Sequence, residues 1–147
     1  MATYLLVAHQ TAESPELLSA ARDLASGDPD AEFVLLVPAT PVAKLLVWEE
    51  GETAEVAERA AQSGAARLRE RGLRVRATQV GDANPLMAIG DELRLRRAHY
   101  AAILISTLPP GISRWLGLDL PTRARRQFPR HRVLHVASAA PVTRSGG

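Results

Sequence analysis

The residue types able to do chemistry gather in a few short turns. His9-Gln10-Thr11, Pro38-Ala39-Thr40, Gly81-Asp82-Ala83 and Ser106-Thr107-Leu108-Pro109-Pro110-Gly111 each follow a short apolar run or an alternating one. An imidazole titrating near neutrality, a carboxylate and a hydroxyl are the ingredients of nucleophilic hydrolysis. A Ser106–His9–Asp82 set can be drawn from three of these turns, but no spacing fixes their distances or supplies an oxyanion hole. His131 and His135 stand four apart in a loop-to-strand segment. Residues four apart share a helix face and residues two apart share a strand face, so this pair has no ready metal geometry. The phosphate-gripping G-x-x-x-x-G-K-[ST] and G-x-G-x-x-G patterns are absent, as is the G-x-S-x-G nucleophile elbow. The expectation is no catalytic residue and no metal site.

The elements that position these turns alternate. Tyr4 to Ala8 is a continuous apolar run, the pattern of a strand covered on both faces. Ser14-Pro15 opens a helix with a hydroxyl cap and a proline whose missing N–H costs nothing there. Leu17, Leu18, Ala21, Leu24 and Ala25 fall on one stripe of that helix. Phe33 to Val37 is a second buried strand. Residues 39–51 are less regular. Thr53 to Arg71 spaces a small-residue face at helical period, and Gly72 follows as a terminator. Arg74 to Val80 alternates, which suits a strand near a sheet edge with one wetter face. Asn84-Pro85 opens a third helix. Tyr100 to Ile105 is a fourth strand. Ser106 to Gly117 reads as a loop with at most one helical turn, and Asp119 can cap a helix to Gln127. Arg132 to Val136 is a fifth strand. Strand-helix alternation with short connections predicts one doubly wound α/β domain, a five-stranded parallel sheet with helices on both faces, over residues 1–137. Residues 138–147 are small and polar and read as a flexible tail.

Composition excludes several classes. The chain has 147 residues, 46% hydrophobic and 23% charged, enough for one core without staples. There is no Cys, so disulfides, thiolate metal sites and cysteine catalysis are excluded. Lys+Arg is 18 and Asp+Glu is 16, so the pI of 9.7 reflects a small arginine excess. Arg123, Arg125, Arg126, Arg130 and Arg132 concentrate charge near the C-terminus without interleaved aromatics, the pattern of a solvated face more than of a nucleic-acid site. No apolar run spans a bilayer, and the N-terminus lacks a basic region before its apolar run, so a cytoplasmic protein without membrane partners is expected.

In open parallel sheets, ligands collect outside the C-terminal strand ends where the strand order reverses. A phosphorelay receiver shares this architecture but needs an acidic cluster after the first strand, where His9-Gln10 stands. From Thr3 to Ala137 the chain resembles the universal stress protein family. The likeness is carried by Leu5-Leu6-Val7-Ala8-His9-Gln10-Thr11, by Val80-Gly81-Asp82-Ala83-Asn84-Pro85-Leu86-Met87-Ala88-Ile89, by Ile103-Leu104-Ile105-Ser106-Thr107 with Gly111, and by Arg132-Val133-Leu134-His135-Val136. The resemblance implies a Rossmann-like sheet of the adenine nucleotide alpha hydrolase type. It implies strand order 3-2-1-4-5 and a cleft between strands 1 and 4. It also implies a homodimer through strand 5, with Val133, Leu134, His135 and Val136 at the interface.

Departures from that family bear on ligand choice. ATP-binding members carry an Asp at the end of strand 1, where Gln10 stands. Their G-x-x-G-x(9)-G-[ST] pattern, aligned without gaps, falls on Ser106, Pro109, Asp119 and Leu120. Pro109 has no N–H to offer a phosphate. An inward Asp119 carboxylate about 4 Å from a phosphate would repel it by roughly 4 kcal/mol at an effective dielectric near 20. This is a divergent member by resemblance, with the usual ATP grip lost; ATP or another adenine nucleotide is disfavoured and no cofactor is assigned. The expected function is a non-catalytic, dimeric binding module. Its small-molecule cleft is lined by His9, Gln10, Thr11, Val37, Pro38, Gly81, Asp82, Ser106, Thr107, Gly111 and Arg114. The alternative is a nucleotide-binding or phosphoester-hydrolysing protein using the same cleft. A third possibility is an interaction protein whose cleft is filled by its own side chains. For His9, a hydrogen-bonded strand-end histidine is the plainer reading; for Asp82, a turn residue; for Trp115, a core aromatic.

Overall fold

The computed structural model describes residues 2–40, 50–96 and 99–138. Residues 41–49, most of the irregular stretch, and 139–147, nearly all of the expected tail, lie outside the described residues. The elements are β1 (Thr3–Val7), α1 (Pro15–Ala25), β2 (Glu32–Pro38), α2 (Glu50–Glu70), β3 (Arg74–Gly81), α3 (Pro85–Arg96), β4 (Ala102–Thr107), α4 (Arg114–Gly117), α5 (Leu120–Gln127) and β5 (Val133–Ala137). All neighbouring strands are parallel, in the order β3-β2-β1-β4-β5. The chain builds leftward from β1 to β3, then returns to the other side of β1. The topological switch therefore falls between β1 and β4.

Period-two alternation sorts the strand residues into two cores. Leu6, Ala8 and Leu35 pack with Leu17 and Ala21 of α1 and with Ala57, Ala61, Ala65 and Leu68 of α2. Leu5, Val7, Ile103 and Ile105 pack on the opposite face with Ile89, Trp115, Leu120 and Ala124. Fully burying each such Leu or Ile contributes about 1.5–3 kcal/mol. β1 and β4 lie between other strands and are buried almost throughout, as their unbroken apolar runs require. β3, at one edge, alternates in burial only over Arg74, Val75 and Arg76; from Ala77 to Gly81 it is half-buried throughout.

Small residues set how closely the helices approach the switch. A Cβ on Gly64 would stand 2.9 Å from both the Ala12 carbonyl oxygen and Leu35 Cδ2. Only glycine lets α2 press on the turn that follows β1. At α1, Ser14 Oγ accepts the Leu17 N–H at 3.1 Å, with Pro15 next in the helix.

Three boundaries differ from the sequence reading. β4 starts at Ala102, because the register with β1 pairs Tyr4 with Ala102. Tyr100 instead packs below the sheet, where its hydroxyl donates to the Glu92 carboxylate at 2.6 Å. α2 begins at Glu50. Asp119 precedes α5 but does not cap it: it sits at φ 57° with no side-chain bond to the helix. Asp119 is the non-glycine residue with positive φ among those described, so the backbone there has the form glycine favours.

Candidate functional site

The turn after β1 and the ends of β4 and β5 meet at the switch. Thr11 Oγ1 lies 2.6 Å from Ser106 Oγ, Ser106 Oγ lies 3.2 Å from Ser138 Oγ, and Ser138 Oγ lies 2.8 Å from Ser14 Oγ. Ser14 also holds the first turn of α1. Four hydroxyls thus run from β1 through β4 and β5 to a helix cap. A hydroxyl donates once and accepts twice, so each finds a partner without a ligand. Thr11, Ser106 and Ser138 are buried. Beside the chain, Thr107 Oγ1 lies 2.8 Å from His135 Nε2, and the Ser138 N–H donates to the Thr107 carbonyl at 2.7 Å. Burial, then the Arg125 charge, holds His135 below the usual histidine range.

His9 is the exception. It stands two residues after β1 and is 8% exposed, and among the described residues neither ring nitrogen has a hydrogen-bond partner. Burial pushes its pKa below the usual value, so the ring is a neutral imidazole with one donor and one acceptor. Leaving such groups unsatisfied costs about 1–3 kcal/mol.

On the far side of β2 the rim is tied differently. The Trp115 indole N–H donates to Thr40 Oγ1 at 3.4 Å, and the Thr40 hydroxyl donates to the Ala83 carbonyl at 2.9 Å. α4 thereby reaches across to the turns after β2 and β3. The Pro109 carbonyl accepts the N–H groups of Ile112 and Ser113 at 3.1 and 3.0 Å, so the loop after β4 closes on itself.

The expected site residues separate into groups. His9, Thr11, Ser106 and Thr107 come together at the switch. Val37 and Pro38 are buried at the end of β2, and Gln10 is exposed. Gly81 ends β3 and Asp82 follows it, two strands from β1, roughly 10 Å away by strand spacing. The Asp82 carboxylate accepts the Asn84 N–H at 2.8 Å, a turn contact. No Ser106–His9–Asp82 relay forms among the described residues. Gly111 is exposed at φ +89°. Arg114 opens α4, but its side chain lies outside the description. Val133 is buried against the α5 face, while Leu134 and Val136 pack on the α1 face and His135 is exposed at the edge. No group of three or more metal-ligating side chains forms among the described residues. Sequence reasoning missed Ser14 as a network member, Thr40 as a tie, and Ser138, which it assigned to the tail. The available signal was position: Ser138 follows β5 at the same rim as Ser106.

No protein-family model matches the sequence, and no curated protein matches it. Solved structures do match. A universal stress protein family member from Burkholderia pseudomallei aligns at TM-score 0.60 and 16% identity, over 93% of this chain and 96% of that one. A universal stress protein from Archaeoglobus fulgidus aligns at 0.58 and 12%, over 92% and 93%. The chain has the universal stress protein fold. A third such structure, a universal stress protein in complex with cAMP, aligns at 0.51 and 17%, over 93% and 97%. No helix among the described residues is long and apolar enough to cross a membrane.

Proposed function

We propose that this chain is a non-catalytic binding module of the universal stress protein type. It assembles as a two-fold dimer through β5 and holds a small hydrogen-bonding molecule at the ends of β1 and β4. The observation that carries the reading is His9: a buried, neutral imidazole whose two nitrogens have no partner among the described residues, in the same turn as Thr11, whose hydroxyl is already bonded to Ser106. A ligand offering one acceptor and one donor recovers the cost of that orphaned ring. The conventional triphosphate grip finds no counterpart among the described residues: Pro109 lacks an N–H, its loop is closed internally, and Ser106 is bonded to Thr11 and Ser138.

The cAMP complex of one structural neighbour supports a second reading, a nucleotide without a triphosphate in the same cleft. Titration calorimetry separates the two. With magnesium ATP the expected result is no heat of binding; micromolar affinity overturns the proposal. Micromolar cAMP binding that is lost in His9→Leu selects the second reading. Native mass spectrometry of protein purified without added nucleotide is expected to show a retained small molecule, absent from His9→Leu.

A further inference from the structure

The outer edge of β5 and the face of α5 carry unbalanced positive charge. Arg123, Arg125 and Arg126 lie on α5, Arg130 and Arg132 follow it, and all five are exposed. From Tyr100 to Gly147 the sole side-chain carboxylate is Asp119. Among the described residues the ion pairs involve other arginines, Arg74, Arg76 and Arg94.

The backbone fixes which groups the edge offers. The Ile103 N–H donates to the Arg132 carbonyl and the Ser138 N–H to the Thr107 carbonyl, each at 2.7 Å. Successive residues of a strand turn their backbone groups to opposite sides, so 132, 134, 136 and 138 face β4. Val133, His135 and Ala137 therefore face outward. Arg125 already reaches this edge, its Nε–H donating to the Val133 carbonyl at 3.4 Å.

A second copy pairing antiparallel here places its two-fold axis at His135, with Val133 of one copy opposite Ala137 of the other. That axis is perpendicular to the sheet, so both α5 helices lie on the same face. Pairing brings two arginine faces together, and Asp119 is the one carboxylate that the segment from Tyr100 onward places on each copy. Guanidinium groups bind phosphate-type oxyanions through paired N–H donors. We propose that this interface closes on a multivalent oxyanion: two copies pair through β5, and a polyphosphate-type anion is clamped between their α5 helices by Arg125 and its neighbours. The inference rests on the β5 dimer of the proposed function and names what regulates it.

Sedimentation velocity of the full chain tests it. At low ionic strength the 15.8 kDa monomer is expected to dominate. Tripolyphosphate is expected to drive dimer formation at an ionic strength at least about tenfold below that at which sodium chloride does so by screening alone. Arg125→Gln with Arg126→Gln is expected to dimerise without tripolyphosphate and to ignore it. Ala137→Pro, which removes one outward N–H at the edge, is expected to stay monomeric in every buffer with unchanged circular dichroism. Equal responses to tripolyphosphate and chloride at matched ionic strength, or a complete dimer at low salt without either, overturn the oxyanion clamp and leave the β5 dimer standing. Monomer under all conditions, in the wild type and in the double glutamine variant alike, overturns the β5 dimer itself.

Discussion

Within one short turn after β1 the chain treats two polar side chains in opposite ways. Thr11 belongs to a buried run of hydroxyls that closes the gap from β1 to β5. His9, two residues earlier, is buried to a similar degree, and its ring nitrogens are without partners among the described residues. The first arrangement is what stability asks of buried polar groups. The second stores a cost that only something outside the described residues can offset. Under the proposed function, stability and binding divide between neighbours: the β1–β4–β5 rim holds the fold, and the imidazole is the group that a ligand would satisfy.

The largest test of this division acts on the platform beneath both residues. Gly64→Val places side-chain atoms within contact of the Ala12 carbonyl and Leu35. The expected loss is about 3 kcal/mol, from overpacking and displacement of the turn. Chemical denaturation measures it, and a loss under about 1 kcal/mol means α2 does not set the turn's position.

Ser106→Ala comes next. It removes the central hydroxyl, leaves the Thr11 hydroxyl without its partner and takes one of two bonds from the Ser138 hydroxyl. The expected loss is about 2 kcal/mol, the cost of stranding buried hydroxyls. A neutral result in the same denaturation experiment means the rim is not a stabilising network.

His9→Leu should act with the opposite sign. Without ligand, replacing an unsatisfied imidazole with an apolar side chain is expected to gain up to about 1 kcal/mol. A loss of stability shows that the ring is already partnered, and the contrast between the two residues fails. The pH profile sharpens this test. Histidine in the unfolded chain titrates near 6.5, and burial holds folded His9 lower. The unfolded state therefore takes up the proton first as pH falls. Stability is full above about 6.5 and declines below it, by up to about 1.4 kcal/mol per pH unit for one such group. His131 and His135 are shifted in the same direction, so the wild-type slope contains all three. The difference between wild type and His9→Leu isolates one, and identical slopes contradict the assignment.

The sequence made the fold readable for a physical reason. β1 and β4 are buried on both faces and so appear as unbroken apolar runs, while β3, at an edge, alternates. Ser14-Pro15 and Asn84-Pro85 announce their helices by cap chemistry that depends only on neighbours. The rim was less readable, because its bonds join residues far apart in the chain. Thr11 meets Ser106 across 95 positions, and Ser14 meets Ser138 across 124. No local pattern records such a pairing. Asp119 shows the reverse error: its residue type suits a helix cap, but the loop holds its backbone left-handed and removes the side chain from that role.

The smallest expected effect asks whether the hydroxyls act as a chain or as separate pairs. Thr11 and Ser14 stand at opposite ends, with Ser106 and Ser138 between them. Ser14→Ala also costs a helix cap, about 1 kcal/mol, so its single-variant loss is ambiguous. A double-mutant cycle of Thr11→Val with Ser14→Ala subtracts that cap and leaves the interaction alone. If each hydroxyl polarises the next, the end residues couple through the middle by about 0.5 kcal/mol. Independent pairs give additive losses, because Ser106 and Ser138 would each keep their remaining bond unchanged. Additivity would reduce the closed rim to local contacts; because the Ser14 N–H also donates to the Thr11 carbonyl at 3.0 Å, the coupling belongs to the hydroxyl chain only where it disappears in a Ser106→Ala background, and then a ligand disturbing Ser106 is felt at the start of α1.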